Sequence, residues 1–474
     1  MDKENNQINN FTEGSIPKHL LSFSIPLFLG NILQALYNTV DSIWVGRFLG
    51  PQALAAVSVS FPIIFVLVAL VTGITMATTV MVAQYVGAKK IDMVKKTVGN
   101  SLFLLIIASI VASTTGILLN RTLLRLINTP EEILPMASGY ARIIFMGFIF
   151  MFGYNMTSAI LMGLGDSKTP LRFLFYSTMI NIVLDPIMIF GLGPIPKMGI
   201  QGAAIATILS QAISFVLALR YLDRNEHVIS YKLRDIRYDR ELTRLTIKIG
   251  LPAGIQQTVV ALGNTLIMSI VNSFGVNVVA AFNAAQKLDS FAFMPSMSIG
   301  MASSTLTGQN MGAGKTERVK EVARWSEIIA VLITGIISVV FLLVPDKLLL
   351  LFTTDREVLN LGAQCLRTLA IAYVPFGLMW VFNGIIRGAG DTIITMIISI
   401  ISLWVVRLPL SAYLSKTGLA QNGIWVGMSS GSILSAILSY AYYRSGRWKR
   451  RAIVRSSSGD ETLENVDDVD LNFQ

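Results

Sequence analysis

Charged side chains are scarce in this sequence. Only 14% of its 474 residues are Asp, Glu, Lys or Arg, whereas 53% are hydrophobic. Soluble domains carry about 25% charged residues, because their surfaces must face water. Too few charges remain here to cover such a surface, which excludes a soluble globular protein.

Cysteine is almost missing as well. Cys365 is the single cysteine, so the chain forms no internal disulfide and has no cysteine-based metal site. Within its apolar run, Cys365 is expected to be a small buried residue. We predict neither an enzyme nor an organic cofactor.

Long apolar runs dominate the sequence. A run of about twenty residues has the length that a helix needs to cross the hydrocarbon core of a bilayer. Because lipid offers no partners to backbone polar groups, such runs must be helices. We therefore predict an all-α membrane protein with twelve transmembrane helices. The predicted spans are residues 17–46, 52–86, 94–120, 131–163, 169–192, 199–222, 242–275, 277–312, 317–345, 356–388, 392–415 and 422–445.

Lysine and arginine alternate between the predicted loops. They concentrate at 89–96, 168–172, 224–244, 315–320 and 444–455, and are sparse in the intervening loops. Cytoplasmic loops carry the excess of these residues, so this set and both termini are predicted to be cytoplasmic. Orientation in an inner membrane explains the net charge of +10, and we predict no nucleic-acid partner.

The chain repeats itself at an offset of about 225 residues. Met76–Ala88 resembles Met301–Ala313, and Gly163–Asp166 resembles Gly388–Asp391. With six spans each, the halves form a parallel repeat of two six-helix lobes with a cavity between them. The predicted parts are an N-terminal segment (1–15), an N-lobe (16–222), a linker (223–241), a C-lobe (242–445) and a tail (446–474) predicted to be disordered.

Several ordered motifs carry a family resemblance. They are Ile25-Pro26-Leu27, Tyr37-Asn38-Thr39-Val40-Asp41, Leu54-Ala55-Ala56-Val57, Gln84-x-x-Gly87-Ala88 and Gly163-Leu164-Gly165-Asp166. Over about residues 14–445 the sequence resembles the multidrug and toxic compound extrusion (MATE) family. This resemblance implies two six-helix bundles in a V shape. It also implies export of amphipathic, usually cationic compounds in exchange for protons or sodium.

Two carboxylates lie inside predicted spans of the N-lobe. Charged groups in the membrane are costly, which makes Asp41 and Asp185 functional candidates. Both are predicted in the outward halves of their helices, and their repeat counterparts lie near Leu266 and Arg407, so the acidic pair is confined to one lobe. Tyr37, Asn38 and Asn181 lie close by in sequence. An asymmetric pair favours a single coupling site for H⁺ or Na⁺.

Arg142 and Tyr140 on the fourth span are predicted at a similar depth, as a supporting ion pair for the acidic residues. An alternative interpretation is that Asp41 and Asp185 only neutralise Arg142. The family resemblance matches Asp41, Asn181, Asp185 and Thr207 to a cation site in the N-lobe.

The C-lobe offers other polar residues. Lys287, Asp289, Arg367 and Arg407 are predicted to form a buried network with Asp289 as counter-ion. The proposed lining of the substrate cavity is Gln34, Asn155, Gln256, Asn264, Phe291 and Met294.

The sequence leaves three functions open. The leading hypothesis is a monomeric, cation-coupled antiporter for amphipathic, cationic small molecules. The alternatives are a lipid-linked glycan flippase and an exporter of an anionic metabolite. An ATP-driven pump is not favoured, because the phosphate-loop pattern ending at Lys315-Thr316 has Gln309 where it requires glycine.

Overall fold

The structure is a computed structural model that describes residues 9–224 and 235–454. Within these ranges nearly all of the chain is helical, and short loops join the helices. The helices are α1 (Ile16–Trp44), α2 (Pro51–Gly87), α3 (Ile91–Leu126), α4 (Leu134–Met146), α5 (Phe148–Gly163), α6 (Lys168–Phe190), α7 (Ile200–Arg224), α8 (Arg240–Asn272), α9 (Val276–Gly312), α10 (Thr316–Leu343), α11 (Pro345–Leu349), α12 (Arg356–Gly388), α13 (Thr392–Ile400), α14 (Leu408–Leu414) and α15 (Gln421–Arg444).

All twelve predicted spans are helical in the structure, with ends that differ by a few residues. Ten helices in the described ranges are long and apolar enough to cross a membrane, and the bent pair α4 and α5 provides an eleventh span. The remaining predicted span is α9, which has 37 residues but many Ser, Asn and Gln side chains. The prediction of an all-α membrane protein is confirmed.

Three spans are less regular than predicted. The fourth is bent by 49° at Gly147, where α4 ends and α5 begins. The first continues from α1 into a π-helical segment, Val45–Leu49, and a second π-helical segment, Ile401–Arg407, joins α13 to α14. Such segments place their side chains away from the positions that a regular helix would give.

The internal repeat extends to individual hydrogen bonds. The Thr78 hydroxyl donates to Ser101 Oγ at 2.8 Å, and Ser303 donates to Ser326 Oγ at the same distance. Likewise, Ser113 donates to the Phe145 carbonyl and Ser338 to the Ala370 carbonyl, both at 2.7 Å. The predicted repeat is therefore confirmed in atomic detail.

The two halves touch closely at one end of the molecule, where the described terminal segments also lie. Here α2 crosses α9 at two glycines. A Cβ atom on Gly87 would lie 1.8 Å from the Gln309 carbonyl oxygen, and one on Gly312 would lie 1.8 Å from that of Gln84. No larger residue allows this approach of the backbones. We call this region the closed end.

Two glutamines related by the repeat connect the halves at the closed end. Gln84 Nε2 donates to the Gly388 carbonyl at 2.8 Å, and its Oε1 accepts from the Ile453 amide at 2.8 Å. We call this arrangement the Gln84 bridge. In the Gln309 bridge, Gln309 Nε2 donates to the Gly163 carbonyl at 3.4 Å and Oε1 accepts from the Phe11 amide at 2.9 Å.

The terminal segments are thus part of the folded molecule. Residues Arg447–Arg451 form a 3₁₀ helix, the Trp448 side chain is 1% exposed, and Arg451 pairs with Asp391 at 3.5 Å. The prediction of a disordered tail from residue 446 is wrong for 446–454, because Trp448 is anchored in an apolar cluster. Residues 455–474 and part of the predicted linker, 225–234, lie outside the described residues.

Candidate functional site

Asp185 and Asn181 lie one turn apart on α6, and both are fully buried. Asn181 Nδ2 donates to Asp185 Oδ1 at 3.1 Å. Because residues four positions apart share one face of a helix, both side chains lie on the same side of α6. Asp185 Oδ2 and Asn181 Oδ1 are both buried without a hydrogen-bond partner.

Asp41 and Tyr37 bring a second pair of oxygens from α1, again one turn apart. Asp41 lies within electrostatic range of Asp185. The Tyr37 phenol is buried beside the hydroxyls of Thr207 and Ser210 on α7. Asp41 Oδ1 is also buried without a hydrogen-bond partner.

We call Tyr37, Asp41, Asn181 and Asp185 the N-lobe oxygen cluster. Its three orphaned oxygen atoms, on Asp41, Asn181 and Asp185, are unusual, because buried polar atoms are nearly always hydrogen bonded. Carboxylate, amide and hydroxyl oxygens are the ligands of hard cations, and carboxylates also accept protons. The donor set therefore fits both H⁺ and Na⁺.

Basic residues do not neutralise this cluster. Among the described residues, no lysine or arginine forms an ion pair with Asp41 or Asp185. Arg142 is exposed, whereas Tyr140 is buried within electrostatic range of both carboxylates. The predicted ion pair with Arg142 is wrong, because Arg142 lies on the opposite side of α4 from Tyr140.

The structure separates the predicted site residues into two groups. Asn181, Asp185, Asp41, Tyr37 and Thr207 come together as predicted, and Ser210 joins them. Asn38 does not, because it lies on an exposed face of α1, where its Oδ1 accepts from Gln34 Nε2 at 3.4 Å.

A family model decides the identity of the chain. The MatE model matches residues 26–187 and again residues 252–413, so the second match begins 226 residues after the first. The chain belongs to the MATE family. It is therefore a membrane transporter, and its two matched regions correspond to the two halves of the internal repeat.

Individual relatives agree with this assignment. The chain is 38% identical to "Probable multidrug resistance protein YpnP" of Bacillus subtilis (strain 168), over 93% of this chain and 97% of the relative. It is 26% identical to a protein named "FAD transporter" of Shewanella oneidensis, over 90% of this chain and 94% of the relative. A crystal structure of a MATE protein in a bent conformation matches with a TM-score of 0.87 and 26% identity, over 93% and 97% of the two chains.

The C-lobe of this MATE transporter lacks the predicted four-residue network. Asp289 is buried and accepts a hydrogen bond from the Tyr373 hydroxyl, and Arg407 lies within electrostatic range of it. Lys287 is exposed and lies over the Phe352 ring. Arg367 is exposed too and pairs with Asp346 at 3.0 Å. The network prediction is wrong for these two residues, because each points away from Asp289 toward a partner at the surface.

A cavity of about 340 Å³ lies between the lobes. Apolar side chains from both halves line it, including Phe23, Phe152 and Met301, together with several Ser and Thr hydroxyls. Its only charged lining residue among those described is Arg387 on α12.

Of the predicted cavity residues, Asn155 lines this space and Gln256 holds Arg387 at its edge. Gln34, Asn264 and Phe291 are exposed elsewhere, and Met294 is half-buried away from the lining. None of these four residues lines this cavity. Their contact with a substrate stays a prediction, because polar or soft side chains on an apolar helix do not show which side faces the cavity. Arg387 was not predicted to line the cavity, although a lone charge at the end of an apolar span indicates a candidate functional residue.

Proposed function

We propose that this MATE transporter is a secondary active antiporter that exports amphipathic compounds in exchange for H⁺ or Na⁺. The coupling cation is proposed to bind at the N-lobe oxygen cluster. The single observation that carries the proposal is the cluster's three orphaned oxygens, two of which belong to carboxylates without a basic partner among the described residues. Names of relatives that refer to multidrug resistance support the export of diverse compounds.

A buried carboxylate without a partner is unfavourable, because the protein does not replace the water that it loses. A bound proton or metal cation offsets that cost. Binding therefore stabilises whichever arrangement of α1, α6 and α7 keeps the oxygens together, and losing the cation favours their separation. An ion can drive transport only if it changes the relative stability of two arrangements in this way.

Helix α1 connects the proposed ion site to the cavity. It carries Asp41 in the cluster, Asn31 in its middle and Phe23 in the cavity lining. Asn31 Nδ2 donates to Ser298 Oγ on α9 of the other half at 3.2 Å. A change in α1 packing at Asp41 is thereby transmitted to the contact between the lobes and to the substrate.

The predicted topology gives the exchange its direction. If the closed end faces the cytoplasm, as the lysine and arginine distribution predicts, the state described here is closed to the cytoplasm. A cation that enters from outside and leaves inside gains about 2.3 kcal/mol per charge per 100 mV of membrane potential. Because a ligand shifts an equilibrium only through unequal affinity, substrate and cation must favour opposite states or compete.

The cavity lining bears on the charge of the substrate. The family resemblance implies cationic compounds, yet the described cavity lining contains Arg387 and no carboxylate. We therefore propose amphipathic substrates as the general class, bound through the apolar and hydroxyl-bearing lining.

Dye efflux from proteoliposomes tests the proposal. A proton gradient and a sodium gradient are imposed separately on wild-type protein, Asp41→Asn and the control Asp346→Asn, whose carboxylate is surface-paired with Arg367. One gradient is expected to drive efflux in wild type and control, while Asp41→Asn loses at least about tenfold, which corresponds to about 1.4 kcal/mol. Equal efflux by Asp41→Asn contradicts the proposed coupling site.

A further inference from the structure

Arg387 is the penultimate residue of α12 and lies at the bottom of the cavity. The next residue, Gly388, accepts the hydrogen bond of the Gln84 bridge. The guanidinium therefore lies just inside the closed end, within reach of a molecule that fills the cavity. Its repeat counterpart is Met162, which lines the same cavity without a charge.

The surrounding protein holds this side chain but does not neutralise it. Arg387 Nη2 donates to Gln256 Oε1 at 3.1 Å, and the guanidinium carbon lies 5.6 Å from the Trp380 ring centroid. Gln256 is itself fixed, since its Nε2 donates to Ser399 Oγ at 2.6 Å and to the Thr395 carbonyl at 3.1 Å. Its carbonyl oxygen is thereby directed at the arginine.

No carboxylate in the described chain forms an ion pair with Arg387. Its Nε is buried without a hydrogen-bond partner. An unpaired charge in a membrane protein is costly and commonly marks a functional group. A guanidinium has five N–H donors in a planar fork that matches a carboxylate or a phosphate. An anionic group therefore matches both the charge and the hydrogen-bonding geometry of this guanidinium.

We propose that Arg387 binds an anionic group of the exported compound, so that the substrate class is an amphipathic acid or zwitterion with a carboxylate or phosphate. The apolar part of such a molecule packs against Phe23, Phe152 and Met301, and its acidic group meets the guanidinium at the closed end. This inference rests on the proposed export function, because it assigns the substrate of that same cavity.

Two dyes with one scaffold test the inference. A rhodamine with a free carboxylate is compared with its methyl ester, in which one added methyl group removes the negative charge. Binding to purified protein in detergent is followed by fluorescence anisotropy, with no ion gradient. Wild-type protein is expected to bind the acid about tenfold more tightly than the ester, as for one charge-assisted hydrogen-bonded pair.

Variants assign the preference to the arginine. Arg387→Gln is expected to bind both dyes with the weaker affinity, while Arg387→Lys retains a preference for the acid. The control Arg367→Gln removes a surface-paired arginine from the same helix and is expected to behave as wild type. Equal binding of the two dyes by wild type, or an unchanged preference in Arg387→Gln, overturns the proposal.

The comparison separates this inference from the proposed antiport. Binding without a gradient does not depend on coupling, so a preference for the acid stands even where no gradient drives transport. Conversely, gradient-driven efflux without any preference between the dyes supports antiport and overturns the role of Arg387.

Discussion

At the scale of single residues, Asn181 and Asn38 show what decides membership of the coupling site. Both are asparagines on apolar helices, and both were predicted site residues. Asn181 is fully buried beside Asp185, whereas Asn38 is exposed and bonded to Gln34. Only the buried residue contributes an orphaned oxygen to the N-lobe oxygen cluster.

We predict that Asn181→Ala changes the coupling-cation concentration for half-maximal transport by about tenfold: upward for Na⁺, because the cluster loses an oxygen ligand, and downward for H⁺, because the ionised Asp185 loses a hydrogen bond worth about 1–2 kcal/mol. Asn38→Ala is the matched control, with an expected change below about twofold. Transport rate is measured against cation concentration in proteoliposomes. Similar shifts in both variants contradict the assignment.

Sequence alone did not distinguish Tyr140 from Arg142. Two positions on a helix are separated by about 200° around its axis, so only one of these side chains faces Asp41 and Asp185. In a water-soluble helix the polar face reveals the outside, but α4 is apolar on most sides and this signal is weak. Asp41 and Asp185 could be predicted as site residues because a buried charge is energetically costly in lipid. Which neighbouring side chains face them depends on the rotation of each helix about its axis.

At the scale of elements, the lengths of the apolar runs and the turn residues between them predicted most helix ends to within a few residues. The span 356–388 coincides with α12, and 52–86 differs from α2 by one residue at each end. The bend at Gly147 and the π-helical segments were not predictable in this way, because hydropathy measures side-chain composition and not backbone geometry. The folded residues 446–454 were missed because their polar composition conceals the anchor Trp448.

The crossing of α2 and α9 gives a prediction at this scale. Gly87→Ala is expected to lower the thermal unfolding temperature and to open the closed end, because its Cβ would lie 1.8 Å from a backbone oxygen. Gly335→Ala on α10 is the control, since a Cβ there meets no atom within 4 Å. Alanine is the better helix former by about 1 kcal/mol, so this variant is expected to be neutral or stabilised. The opposite order of unfolding temperatures contradicts the packing described.

At the scale of the whole molecule, the Gln84 and Gln309 bridges connect each terminal segment to the opposite half. Gln84→Ala is expected to accelerate amide hydrogen exchange at Ile453 about fivefold, as for a lost bond worth about 1 kcal/mol. Gln309→Ala is expected to do the same at Phe11, and each variant serves as the control for the other. Peptide-level exchange by mass spectrometry measures both, and uniform acceleration at both segments contradicts two separate bridges.

The repeat makes the molecule's asymmetries informative. Within the described residues, the lobes share hydrogen bonds of Ser and Thr hydroxyls and their closed-end bridges, but the oxygen cluster lies in the N-lobe and the cavity-lining arginine without an ion-pair partner lies in the C-lobe. Symmetric features are explained by folding and by closure of the two lobes. The asymmetric ones are assigned here to the coupling cation and to the substrate.

Reversed exchange tests the central claim most directly. Proteoliposomes receive a gradient of the dye alone, and movement of protons or sodium in the opposite direction is measured by a lumenal pH dye or by radioactive sodium. Wild type and Asp346→Asn are expected to move one cation against the dye, while Asp41→Asn and Asp185→Asn move at least about tenfold less. Dye movement without counter-movement of either cation, or full counter-movement in both aspartate variants, would show that the N-lobe oxygen cluster does not couple transport.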